Sequence, residues 1–240
     1  MRRTAIVAAA VVAVLVLGGA AVAYAYFFSG LRSAPKALAL ASPAPAATPA
    51  AAATPGAVAG NWAVATGSVV GYRVREQFVG QSSPHEAVAR TSDVTGSVTV
   101  TQDSSGLTAA NLTFTAQVGT LKSVDTVAGY NVANRDRIVS AALQASRFPS
   151  ASFQATSAAL PAGLASGQQV TVSVPGQLTV HGVTRDATAT VTVQVSGDKA
   201  QVAGNIKIDM TDFGVQPPQI GFTNVESATT IEFELVLARS

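Results

Sequence analysis

The sequence predicts an all-β domain: an antiparallel barrel of about eight strands with one short helix, preceded by a transmembrane helix. Three observations carry this. A two-residue apolar/polar period recurs from Ser68 to the C-terminus. Residues 5–28 contain no charge. Between the two lies a Pro- and Ala-rich stretch with little that could form a core.

The uncharged run, Ala5 to Phe28, is 24 residues long. A helix of that length, rising about 1.5 Å per residue, crosses a hydrocarbon core of roughly 30 Å. Arg2 and Arg3 precede it, which sets the N-terminus in the cytoplasm and exports the rest, although Arg32 and Lys36 follow it. Residues 1–33 are therefore read as a cytoplasmic tip and membrane anchor. The chain then sits in the cell membrane as a single-pass protein, its C-terminal domain outside the cytoplasm. The competing reading is a signal peptide cleaved after Ala21-Val22-Ala23, which would release a secreted domain.

Residues 34–60, "APKALALASPAPAATPAAAATPGAVAG", read as a linker, extended where prolines cluster. The barrel is assigned to residues 61–240, beginning near Asn61-Trp62.

Within it each strand has one apolar face. Val70, Tyr72, Val74 and Phe78 oppose Arg73, Arg75 and Gln77. Val94, Gly96, Val98 and Val100 form the next, then Leu112, Phe114, Ala116 and Val118. Ala151, Phe153 and Ala155 follow, then Val170 to Val180, and then Ala187, Ala189, Val191, Val193 and Val195. Ser196-Gly197-Asp198 is a turn signal before Val202, Gly204, Ile206 and Ile208. Ile231, Phe233, Leu235 and Leu237 close the series. A sheet with one wet face closes on itself or stacks on another. An outer-membrane barrel would alternate too, but one Trp and four Tyr are too few for its aromatic girdles.

One segment breaks the period. In "NRDRIVSAALQASR", residues 134–147, Ile138, Val139, Ala142 and Leu143 recur at helical spacing. Asn134 is placed to cap this helix, Asp136 suits its first turn, and Pro149 stops it. The helix is expected across a barrel end.

Composition excludes several functions. There is no cysteine, hence no disulfide, thiolate metal site or cysteine nucleophile. The first 60 residues hold four basic groups and no acid; the remainder holds 11 basic and 13 acidic residues. The folded part thus has no basic excess, which argues against nucleic acid.

Small inward residues, Gly96, Ala116, Ala155, Ala187, Ala189 and Gly204, leave volume that Leu or Phe would fill. Such a barrel either holds one apolar ligand or packs its own large side chains against the small ones. The candidate lining is Tyr72, Val74, Phe78, Leu112, Phe114, Phe153, Leu178, Val180, Phe213, Phe222 and Phe233. Arg135 and Arg137 are candidate contacts to a polar head group, against an ordinary solvated ion-pair cluster with Asp136. Glu76 interrupts its apolar face and is expected at the barrel rim, the alternatives being a bulge or a place against a ligand head group.

There are two histidines. His181, before Gly182, reads as part of a tight turn, bonded to nearby backbone or carboxylate. A catalytic base is the alternative, but no nucleophile motif such as Gly-x-Ser-x-Gly accompanies it. His85 reads as solvated in a polar loop, with no ligand-type spacing around either histidine. No metal, cofactor or catalytic residue is assigned.

Several stretches together carry a resemblance: "GSVVGYRVREQF" (67–78), "VTGSVTV" (94–100), "NRDRIVSAALQASRFPSASF" (134–153), "GQLTVHGVTRDATATV" (176–191) and "MTDFGV" (210–215). In order and spacing they resemble the YceI family along residues 62–238. The resemblance implies an extended, lipocalin-like barrel, exported, that binds a long apolar chain such as a polyisoprenoid or fatty amide. The expected function is a membrane-anchored lipid-binding protein without catalysis, its partners an apolar lipid and the membrane through residues 5–28. The rivals are an envelope scaffold or adhesion module with a packed core, and a His181-dependent enzyme.

Overall fold

The structure, a computed structural model, describes residues 14–22, 32–40, 58–79, 84–127, 130–221 and 223–240. Its strands, in chain order, are β1 (Arg32–Ser33), β2 (Gly60–Val64), β3 (Val69–Phe78), β4 (His85–Thr91), β5 (Val94–Asp103), β6 (Gly106–Gln117), β7 (Lys122–Ser123) and β8 (Thr126–Val127). After helix α1 (Ala133–Ala142) come β9 (Ser150–Leu160), β10 (Val170–Val180), β11 (Val183–Ser196), β12 (Lys199–Asp209), β13 (Gln219–Ile220) and β14 (Thr223–Arg239).

Eight strands close a ring in the order β14-β12-β11-β10-β9-β6-β5-β2, returning to β14, with every pairing antiparallel. Closure removes the exposed edges that a one-faced sheet otherwise presents. β14 serves two neighbours along one edge: its end pairs with β2 through Leu237–Arg239, and the rest pairs with β3. β3 leads on to β4 and β7, so one half of the barrel has a different wall from the other.

The alternation sorts as written. Ala189, Val191 and Val195 of β11 are buried inside, with Leu178 of β10, Val202 and Ile206 of β12, and Leu235 and Leu237 of β14. Burying each large aliphatic contributes about 1.5–3 kcal/mol. Outside, Thr171 pairs its hydroxyl with Thr192, and Thr179 with Thr184.

β4 was not legible from a period. Ala87, Val88 and Ala89 are consecutive and all buried, because the segment that follows β7 covers its outer face. The Val124 N–H donates to the Val88 carbonyl at 2.9 Å, and the Val88 N–H donates to Asp125 at 3.1 Å.

The helix differs in detail from expectation. It starts at Ala133 rather than Asn134, and the Asn131 side chain, not Asn134, accepts from the first-turn Ala133 N–H. Asp136 accepts from the Ser123 N–H and hydroxyl, tying α1 to β7.

Residues 34–40, assigned to the linker, lie along the outside of the barrel, together with the end of the segment assigned to the anchor. Arg32 and Ser33 pair with Val127 and Thr126. Pro35 and Lys36 carbonyls accept from Arg73 and Arg90, each at 2.7 Å, and the Leu38 N–H donates to Glu232 at 3.3 Å. Glu232, 2% exposed, is an outward-facing carboxylate held by the same two arginines. Ala37 and Leu38 belong to a segment with few polar side chains of its own, so its backbone supplies the contacts.

Residues 14–22 are helical, and Val14, Leu15, Val16, Leu17 and Val22 are exposed. Among the described residues no helix is long and apolar enough to cross a membrane. The ends of the 5–28 run lie outside the described residues.

Candidate ligand tunnel and its polar end

Two apolar cavities lie in series along the barrel, of about 170 Å³ and about 160 Å³. An apolar cavity of about 150 Å³ stays dry and takes up a molecule of benzene's size. Val70, Ala116, Ala151 and Ile231 line both, so the two meet end to end. Ala116 and Ala151 are cross-strand partners on β6 and β9, and they form a neck of small side chains.

Of the residues proposed as lining, Leu112, Phe114, Phe153, Leu178 and Phe233 wall the first cavity. Tyr72, Val74, Phe78, Val180 and Phe213 wall the second. Phe222 lies outside the described residues. Residues that sequence reasoning missed include Trp62 and Val58 at the first cavity, and Ile138, Val139 and Ala142 of α1 at the second. The helical period that located α1 already marked that face as apolar.

The glycines do not make the space. A Cβ on Gly176 would lie 2.6 Å from the Phe153 ring, and one on Gly204 would lie 2.7 Å from the Phe233 ring. Gly96 stands in the same relation to Phe114, at 2.5 Å. Each glycine is the seat of an aromatic ring from the neighbouring strand, a device that packs rings flat against a sheet. The expectation that Gly96 and Gly204 open volume is corrected: their volume is filled by Phe114 and Phe233, and the tunnel is what Ala and Val leave.

The second cavity ends at a buried charged group. Glu76 is 4% exposed and follows Tyr72 and Val74 on the inward face of β3. Arg135, from the first turn of α1, reaches inward and donates to two carboxylates: Nη2 to Glu76 Oε1 at 2.5 Å, and Nη1 to Asp125 Oδ1 at 2.7 Å. The other Asp125 oxygen lies 2.7 Å from His85 Nε2. Tyr130 stands beside this group, its ring edge on Phe78.

Burial pushes the Glu76 carboxyl up, and the Arg135 charge offsets only part of that. Burial would raise Asp125 as well, but hydrogen bonds from His85 and Arg135 outweigh it and hold the carboxyl below its usual range. Burial disfavours the charged Arg135, yet Glu76 and Asp125 more than compensate and keep it a cation. Burial raises the Tyr72 phenol well above its ordinary value.

Three expectations change here. Glu76 is not at a solvated rim, because Arg135 gives it a partner inside. His85 is not solvated: it is 5% exposed, opens β4, and bonds to Asp125. The Arg135, Asp136 and Arg137 run is not one solvated cluster. Arg135 points into the barrel, while Arg137 faces away from both cavities and bonds to Asn134 at 2.8 Å. Asp125 was missed, since no period runs through residues 118–132 to orient it.

Glu76, His85 and Asp125 offer ligand atoms within 4.8 Å of one another, the reach of a metal site. The Arg135 guanidinium already bonds to both carboxylates and supplies the compensating charge, so the arrangement suits an internal ion pair better than a metal.

His181 lies elsewhere. Val180 and Val183 pair across a two-residue turn in which His181 has φ +52° and Gly182 φ +74°, the type I′ geometry of tight hairpins. His181 Nδ1 lies 3.2 Å from the Phe213 carbonyl, which makes Nδ1 the donor. The ring meets Phe148 edge-on at 5.0 Å, and Nε2 is buried without a hydrogen-bond partner among the described residues.

A family description, the YceI-like domain, matches residues 62–237. The chain belongs to the YceI family. The YceI barrel here is similar to a polyisoprenoid-binding domain from Saccharophagus degradans implicated in plant cell wall breakdown. The two are 15% identical with TM-score 0.54, covering 75% of this chain and 98% of that one. It is also similar to BcnA of Burkholderia cenocepacia, at 22% identity and TM-score 0.45, over 69% of this chain and 95% of that one. The first likeness shows the shared fold. No curated protein matches the chain.

Proposed function

We propose that this YceI protein is a membrane-anchored, extracytoplasmic carrier that sequesters one long apolar chain, a polyisoprenoid or fatty-acid derivative, in its barrel. The observation that carries the reading is the pair of apolar cavities meeting at the Ala116–Ala151 neck, since a packed scaffold needs no such vacancies in series. The uncharged run at residues 5–28 supports anchoring. The proposed lining residues hold the chain by apolar burial, worth about 0.8 kcal/mol per methylene, less the cost of immobilising it. Arg135 lies at the polar end of the lining, whereas Arg137 has no place in it.

The test is organic extraction of the full-length chain purified from its own host, followed by mass spectrometry. A long-chain species at near one per protein is expected. A clean extract from a cooperatively melting protein would mean a scaffold. His181→Ala is expected to leave the lipid content unchanged, because His181 is a turn residue set on Phe148 and the Phe213 carbonyl.

A further inference from the structure

The walls of the two cavities, among the described residues, carry one cation, Arg135, and one carboxylate, Glu76. Both terminal nitrogens of Arg135 are engaged, one on Glu76 and one on Asp125, so its charge is matched twice over. A ligand's polar end entering here finds no spare positive charge.

Two groups remain open to it. The Tyr72 hydroxyl has no hydrogen-bond partner among the described residues, and Tyr72 lines the second cavity. Glu76 Oε2 likewise has no partner among the described residues, whereas Oε1 is taken by Arg135. A carboxylate oxygen accepts and never donates, and a phenol can do either. Both face the second cavity, so a group entering it can donate to Glu76 or share a bond with Tyr72.

Building on the carrier reading, we infer that the Tyr72–Glu76 pair is a head-group subsite selective for an uncharged, hydrogen-bond-donating end, the class of long-chain alcohols, and against carboxylates and phosphates. Two carboxylates about 5 Å apart at an effective dielectric of about 20 repel enough to cost on the order of a hundredfold in affinity. The attraction of Arg135 gives part of that back, so a preference of about tenfold or more is expected.

Trp62 is the single tryptophan of the chain and lines the first cavity, so energy transfer from it reports occupancy. The experiment titrates the full-length chain, held in a lipid-free amphipathic polymer, with three conjugated tetraenes of one chain length. These are parinaryl alcohol, parinaric acid at an alkaline pH where it is ionised, and the headless hydrocarbon. The alcohol is expected to bind about tenfold or more tighter than the acid. Glu76→Gln is expected to shrink that ratio to within about threefold, by removing the repelling charge. Tyr72→Phe keeps the ring and is expected to weaken the alcohol several-fold while leaving the hydrocarbon unchanged.

Equal or tighter binding of the acid overturns the inference, as does a ratio that Glu76→Gln leaves intact. If none of the three probes gives energy transfer, the tunnel itself is not a binding site and the carrier reading falls first.

Discussion

The neck between the two cavities is the most direct place to test whether they act as one tunnel. Ala151 lines both and faces Ala116 across the β6–β9 ladder. Ala151→Leu places three more carbons there. In the unmodified protein each added methylene should strengthen binding by about 0.8 kcal/mol, roughly fourfold, until the chain has traversed both cavities. With the neck filled, a long chain loses whatever part lay beyond it. For about six methylenes the upper bound is near 5 kcal/mol, and immobilisation no longer required returns part of that. Short chains that fit one cavity should be little affected. The empty barrel should be about as stable as before, since about 2 kcal/mol of new burial meets overpacking strain of about 1–3 kcal/mol. The assay is a competition series of alcohols of increasing length, with a thermal melt of each protein. Affinity should plateau early in Ala151→Leu and continue to climb in the parent. If long and short chains lose affinity by the same factor, the cavities are not in series and the reasoning fails.

Further outcomes follow from the charged group and the ring seats. Arg135→Met should cost about 3–5 kcal/mol in urea unfolding, because it leaves Glu76 and Asp125 buried without their cation, while Arg137→Ala should stay within about 0.5 kcal/mol. Acidification should act in two stages. Glu76, with its native pKa raised, gains a proton first in the folded state, so stability rises slightly as pH falls toward its unfolded value. Asp125, with its native pKa lowered, contributes stability that is present above its unfolded value near 3.8 and is lost as pH falls below it. Asp125→Asn should flatten that acid limb in urea midpoints measured against pH, and an unchanged limb would count against the assignment. Gly204→Ala should lower stability by about 1–3 kcal/mol, since its Cβ overlaps the Thr190 carbonyl and presses on Phe233; adding Phe233→Leu should recover part of the loss in a thermal melt.

The barrel was legible wherever a strand has one wet face and one dry face. β11 shows this best: Thr188, Thr190 and Thr192 look out while Ala189 and Val191 look in, so the period reports the fold directly. β4 gave no period because Val88 is covered from outside by the stretch around Asp125. The charged group failed for a related reason. Glu76 reads as an error on an apolar face unless its partner is known, and that partner comes from a helix 59 residues away. Pairing of buried charges is a tertiary fact with no local signature, and the same holds for His85 and Asp125, 40 residues apart. The small residues were misread in one respect: composition shows that Gly204 leaves room but cannot show that Phe233 takes it.

The docked segment at residues 33–40 changes what a leash means for this protein. Read as a spacer, residues 34–60 would let the barrel drift tens of ångströms from any anchor. Because Arg32 and Ser33 already pair with Val127 and Thr126, only residues 29–31 separate the uncharged run from the barrel, a reach of about 10 Å. Val127 bridges to Tyr130, which borders the second cavity with Phe78. Anchored through residues 5–28, the molecule would therefore be berthed with that end against the leaflet, and a hydrocarbon could slip between bilayer and barrel with little of its length wetted on the way.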